Sequence, residues 1–322
     1  MLGAGECAGK PAPRPLPVNG RGRFSGRAEP RLQPRTQVVC VIVVLLTAGP
    51  PVRLTAQSGS VLAGLPGSTR AAGLRGAGAA LVGDAGAVFS NPAGIATIRH
   101  LSFEGAYQRS ADGTTVGSGA LALRAGRLSW GFGAAALDTS GVLPRATNVL
   151  GISSLVVRTS FIALGTSVKY VREPLGGATA DAWAGDVGVA LAVFDLMAFG
   201  ASVQNLGGDL GGGARLPRLT RAGFTMNYVD PQGAYRLLTT LEGQWPSGAG
   251  GLVIVGVEGG VVTHGVGIVG RVGYGGRSGA TPASRSSYGA GLELGRLHLD
   301  YAYRAFDAPA GGTHRFGLQW TP

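Results

Sequence analysis

Side chains able to do chemistry are few in this chain and widely spaced. Its four histidines, His100, His264, His298 and His314, never approach metal-ligand spacing, and no HExxH occurs. Both cysteines, Cys7 and Cys40, precede residue 41, so the rest of the chain offers neither a thiolate nor a disulfide framework. There is no GxSxG elbow and no phosphate loop with its lysine, and GxG steps carry little weight among 58 glycines. His298 and Asp300 fall on one face of a β-strand and can be drawn as an acid/base pair. The same spacing better serves a ladder of salt bridges along a lumen. The remaining chemistry is electrostatic. Arg236, Glu242, Glu293, Asp300 and Arg304 lie opposite runs of Leu and Tyr, where they would face a lumen and set any selectivity; a slip of one residue would invert every assignment. The chain therefore reads as a non-enzyme with no cofactor and no metal.

Those charges need strands to hold them. From His100 onward the sequence breaks into about fourteen short alternating segments separated by turns. In 297–304, Leu297, Leu299, Tyr301 and Tyr303 alternate with His298, Asp300, Ala302 and Arg304. In 235–245, Tyr235, Leu237, Thr239, Leu241 and Trp245 alternate with Arg236, Leu238, Thr240, Glu242 and Gln244. Joins such as Ala125-Gly126 and Gly295-Arg296 leave no room for crossover helices and predict antiparallel hairpins. Longer joins near 138–146, 173–178, 206–217 and 276–285 are rich in Gly, Pro, Ser, Asp and Arg, so short and long connections would mark the two rims of a barrel.

One apolar face fits a soluble sandwich as well as a membrane barrel, and three observations favour the barrel. Charged residues of the last segments share one face. Aromatic residues recur at segment ends, as with Trp130, Tyr170, Tyr228, Trp245, Tyr274, Tyr288 and Tyr303, where interfacial belts would need them. No amphipathic helix after residue 100 is long enough to cover a sheet edge, whereas closure removes edges. Small residues such as those of 117–125 and 184–192 would keep a narrow lumen uncrowded.

The formal net charge of +11 is concentrated near the N-terminus. Residues 1–56 hold eight Lys and Arg against two acids, leaving 20 basic and 15 acidic residues scattered through the rest, with no clustered nucleic-acid surface. Val38 to Leu46, VVCVIVVLL, is too short to span a bilayer as a helix. Its basic flank and the small residues after it, ending near Ala56, match a secretory signal. The organisation read from sequence is a leader and signal over 1–56, a plug segment over 57–99 and a barrel over 100–322.

Ahead of the strands lies Gly76 to Ala96, GAGAALVGDAGAVFSNPAGIA. Ala79 to Val88 would form one or two helical turns, ended by Asn91-Pro92, and Gly94 would allow close backbone approach or positive φ. The corner is Asn91, Pro92, Ala93 and Gly94, a structural feature with no reaction of its own.

This stretch resembles the glycine-rich, NPAG-containing segment of fatty-acid-transporter-like outer-membrane barrels, and within them the PorV/PorQ subgroup of the type nine secretion system. The late LHLDYAYRAF (Leu297 to Phe306) and terminal HRFGLQW (His314 to Trp320) are similar to that subgroup as well. The resemblance implies an all-β, closed antiparallel transmembrane β-barrel of about fourteen strands with a short N-terminal plug, located in the cell outer membrane. It implies contact with outer-membrane lipid and the barrel assembly machinery. The modest loops lack room for the long excursions of fatty-acid channels, which directs the reading toward a scaffold or shuttle that meets secretion-system or surface proteins. The alternative is a passive conduit for small hydrophobic or amphipathic molecules, limited by the plug; fold alone does not choose between them.

Overall fold

The computed structural model describes residues 67–138, 147–175, 178–193, 196–211, 214–229, 234–276, 283–306 and 311–322. The leader and signal expected over 1–56, and the plug segment up to residue 66, lie outside the described residues.

One short helix, α1 (Thr69–Gly73), and two 3-10 turns, Ala85–Phe89 and Pro92–Thr97, precede the strands. The strands are β1 (Leu101–Ser110), β2 (Thr115–Ala125), β3 (Leu128–Asp138), β4 (Thr147–Thr159), β5 (Ile162–Leu175), β6 (Ala178–Val193) and β7 (Met197–Gly207). A small ribbon, β8 (Asp209–Gly211) and β9 (Ala214–Arg215), interrupts the series. It resumes with β10 (Leu219–Asn227), β11 (Tyr235–Pro246), β12 (Leu252–Thr263), β13 (Val266–Gly275), β14 (Ala283–Leu294), β15 (Leu297–Phe306) and β16 (Gly311–Trp320). Apart from the β8–β9 ribbon, the strands pair antiparallel around a closed barrel, which β1 and β16 seal from Phe103 opposite Trp320 to Ser110 opposite Thr313.

The expected strands and hairpins are present. At the two-residue turn between β12 and β13, His264 and Gly265 both take positive φ (52° and 78°), the backbone that matches such a loop to the twist of its strands. Turns at 126–127, 160–161, 264–265 and 295–296 share one rim with the start of β1 and the end of β16. The opposite rim holds the ends of β3, β7 and β13 and the starts of β4, β10 and β14; the longer join expected over 173–178 is corrected, because β5 runs to Leu175 and β6 begins at Ala178.

Alternation sorts the side chains. The outer surface presents Leu164, Val168, Val253, Val255, Val257, Ile268 and Val272, all large apolar residues left exposed by the fold. A continuous apolar wall of this kind is stable only against lipid. Aromatic side chains edge the band, with Trp130, Tyr235 and Trp320 toward the rim of short turns and Tyr107, Trp183, Trp245 and Tyr274 toward the other. Outward charges on the described strands, Arg109, Asp138, Arg172 and Asp181, stand only at the long-loop rim.

Candidate functional site: the plugged lumen

Residues 67–98 occupy the bore. Their placement begins with backbone polarity: a chain that turns this often exposes N–H and C=O groups that neither helix nor sheet satisfies, and burial without partners would be costly. Here the barrel wall supplies the partners. Ser68 caps α1 by accepting from the Ala71 N–H (3.0 Å), while Glu104 on β1 accepts from Thr69 N–H (2.9 Å) and Gly86 N–H (3.1 Å). Glu242 on β11 accepts from Gly78 N–H (2.6 Å) and Ala79 N–H (2.7 Å), and its other oxygen takes hydrogen bonds from Arg221 and Gln244. The plug carbonyls of Gly76, Phe89, Ser90 and Gly73 accept from Arg221, Gln204, Ser202 and Ser287.

A charge chain completes this side. Arg70 of α1 donates twice to Glu258 (2.8 Å each), Glu258 also takes Arg271 (2.6 Å), and Arg271 binds Asp300. Burial opposes the Arg70 charge, but Glu258 and Asp84 beside it outweigh that and raise its pKa above the ordinary value. Arg75 lacks such help among the described residues: it donates to the backbone carbonyls of Arg285 and Gly276, and burial lowers its pKa.

The other side of the bore is mainly apolar, its polar ties to the plug including Arg124 and Arg158, which donate to the carbonyls of Ile98 and Ala96. Val88, Phe89, Ile95 and Ile98 pack with Val116, Leu137, Leu150, Ile152, Val156 and Val171 of β2 to β5, and Leu216 of the 208–218 connection joins the same cluster. Glycine lets the plug approach the wall. A Cβ at Gly200 would sit 1.8 Å from the Ala79 oxygen, and one at Gly188 would sit 2.0 Å from Asn91 Oδ1. The small inward residues of β6, expected to keep the lumen uncrowded, instead make room for the plug.

Each expected site residue has a definite place. Asn91 is fully buried; its amide donates to the carbonyls of Ala79 (2.6 Å) and Val189 (3.1 Å), and its Oδ1 accepts from Ala93 N–H. The expected turn does end just before Asn91-Pro92, as the 3-10 turn Ala85–Phe89 closing at Ser90, and Asn91 also caps the next 3-10 turn, which Pro92 begins and where the missing proline N–H is harmless. Gly94 serves close approach, since a Cβ there would lie 2.8 Å from that of Ala87, and it has no positive φ. Glu242 and Asp300 sit in the anchoring network. Arg236 and Glu293 meet each other at 4.0 Å, on the bore side near the rim of short turns. Arg304 projects inward beyond the network, its Nε without a hydrogen-bond partner among the described residues. Asp300 is engaged by Arg271, so the acid/base pairing drawn for His298 and Asp300 is replaced by an ion pair.

Sequence reading missed Glu104, Glu258, Arg271 and the buried Lys169–Asp186 pair (2.7 Å). The signal was available in LSFEGAYQ, where Ser102, Glu104, Ala106 and Gln108 alternate with Phe103, Gly105 and Tyr107. Among the described residues no group of His, Cys, Asp and Glu is placed to hold a metal ion.

A closed fourteen-strand barrel with its N-terminal segment folded into the bore defines the architectural class. Solved structures share it. The toluene transporter TbuX of Ralstonia pickettii matches at a TM-score of 0.56 and 14% identity, over 81% of this chain and 99% of that one. The toluene transporter TodX of Pseudomonas putida matches at 0.53 and 10% identity (78% and 96%), and a FadL homologue of Pseudomonas aeruginosa at 0.53 and 12% identity (79% and 98%). At these identities the likeness is one of fold. No protein-family model and no curated protein sequence matches the chain.

Proposed function

We propose that this chain is an outer-membrane conduit for small hydrophobic molecules, held closed by its plug. The carrying observation is the two-sided bore: one side of the plug is tied to the wall by carboxylates and guanidiniums, while the other packs mainly against apolar side chains and glycine, with Arg124 and Arg158 donating to the Ile98 and Ala96 carbonyls at the short-turn rim and Asn91 to the Val189 carbonyl. A hydrophobic solute can replace apolar contacts at little loss, whereas it offers nothing to a buried carboxylate. The side along β2 to β6, where the buried Lys169–Asp186 pair is satisfied within the wall, is therefore the path, entered from the long-loop rim beside Leu216. The apolar outer wall and the fold shared with toluene transporters support this reading and an outer-membrane location. On it the chain catalyses no reaction, residues 1–56 serve export, and assembly uses the barrel assembly machinery. Arg236, Glu293 and Arg304 would discriminate against charged solutes.

A second reading rests on how fully the plug fills the bore: a sealed barrel of the PorV/PorQ kind would act as a scaffold for secretion-system or surface proteins. One experiment separates the two. Cells with a lipopolysaccharide outer leaflet, expressing the full chain, are exposed to N-phenyl-1-naphthylamine and its uptake is timed. Faster uptake than in cells lacking the chain is expected. Unchanged uptake, with the folded barrel co-purifying with surface proteins, would overturn the conduit in favour of the scaffold.

A further inference from the structure

The outer surface carries a site of its own at the long-loop rim, where β15, β16 and β1 lie side by side. Register places Tyr303, His314 and Arg109 in one outward row, because Tyr303 is opposite His314 and His314 is opposite Arg109. The next row toward the middle of the barrel is Tyr301, Phe316 and Tyr107, followed by Leu299, Leu318 and Gly105. Polarity thus falls in steps from a cation and an imidazole, through aromatic rings, to aliphatic side chains. A membrane lipid has the same profile from headgroup to acyl chain.

The top row is shaped. Tyr301 Oη and His314 Nδ1 are 2.8 Å apart, and the Tyr303 and His314 rings stand 5.0 Å apart between centroids. With Arg109, Ser110 and Gly312 they line a pocket of about 610 Å³, the size of a small-ligand site. Charge distinguishes this patch from the outward Arg172–Asp181 pair on β5 and β6. Arg172, the outward arginine on β5, is neutralised by Asp181 through two hydrogen bonds (2.8 and 3.2 Å). Arg109 has no carboxylate within ion-pair distance among the described residues. Asp112 in the adjoining turn accepts instead from Thr114 N–H, and Asp138 stands on β3, two strands away.

We infer that this pocket binds the phosphate-bearing headgroup of an outer-leaflet lipid, with Arg109 and His314 on the phosphate and the Tyr301–Phe316–Tyr107 row along the start of its acyl chains. A planar guanidinium suits phosphate oxygens, and tyrosine rings suit the boundary between headgroup and chain. The inference rests on the membrane placement and is independent of conduction through the bore.

The test uses the full chain in detergent micelles with lipid A as the probe and native mass spectrometry as the readout. Retention of lipid A by the parent chain is expected, with about tenfold weaker binding in Arg109→Gln or His314→Gln, the loss for one charge-assisted contact, and no change in Arg172→Gln. The two variants guard each other against misfolding, which heat-modifiable migration on gels would reveal. Equal retention by all folded variants would overturn the site. Displacement of lipid A by millimolar inorganic phosphate would overturn its assignment to a lipid, marking a free-anion site. Uptake of N-phenyl-1-naphthylamine should be unchanged in Arg109→Gln, so failure here and failure of the conduit reading are separable.

Discussion

The two halves of the bore hold the same plug by opposite means. Along β1 and β10 to β16, Glu104, Glu242, Glu258 and Arg271 grip it through hydrogen bonds and ion pairs that demand one position and one orientation. Along β2 to β6, Val88, Phe89 and Ile95 meet an apolar wall whose attraction is non-directional. A buried carboxylate that loses its donors is left uncompensated, whereas an apolar contact displaced by another apolar molecule is nearly restored. On the proposed conduit reading, the charged half would act as a hinge plate and the apolar half as the edge that yields.

Mutations that erase the difference should act most strongly. Gly200→Val places a side chain where the Ala79 carbonyl now lies, so the plug is expected to leave its seat. Rapid proteolysis of residues 67–98 and large ion conductance in planar bilayers would register this, and a resistant plug in a silent barrel would refute it. Next is Glu242→Gln, which leaves the buried Arg221 guanidinium without its ion pair and weakens the hold on Gly78 and Ala79. Removing one partner from a buried pair costs about 3–5 kcal/mol, so hydrogen exchange at those two amides should accelerate by at least about a hundredfold, and a smaller effect would demote the anchor.

On the apolar side the expected changes are milder. Ile95→Val should cost about 1 kcal/mol of packing against the wall near Gly131, seen as slightly faster exchange in 92–98 with no ion conductance. The smallest effect belongs to the exposed Arg172–Asp181 pair. Arg172→Gln should lower stability by less than about 1 kcal/mol, and a larger drop in thermal unfolding temperature would give the outer rim an unexpected structural role.

Much of this division was legible in the sequence. Period-two alternation placed Glu242, Asp300 and Arg304 opposite Leu and Tyr, and each strand had turn residues at its ends. Glu104 and Glu258 were as readable in principle, since each alternates with apolar or glycine positions. What could not be read was the pairing of wall to plug: Glu242 meets Gly78 from 164 residues away, and nothing in either local pattern specifies that contact. The glycines were ambiguous for the same reason. Gly188 and Gly200 look like loosely packed strand positions until the plug is present to need the space. The Asn91-Pro92 corner was visible, but whether such a dipeptide closes one turn or opens the next depends on where the following residues can pack.

The plug's yielding edge can be examined most directly by timing N-phenyl-1-naphthylamine uptake in cells expressing Ile95→Ala, with ion conductance of the same variant recorded in planar bilayers. Removing that side chain loosens only the apolar half. Faster uptake of the hydrophobic probe with conductance still at the parent level is the predicted result. Uptake equal to the parent's, or a rise in conductance that matches the rise in uptake, would contradict a path along β2 to β6.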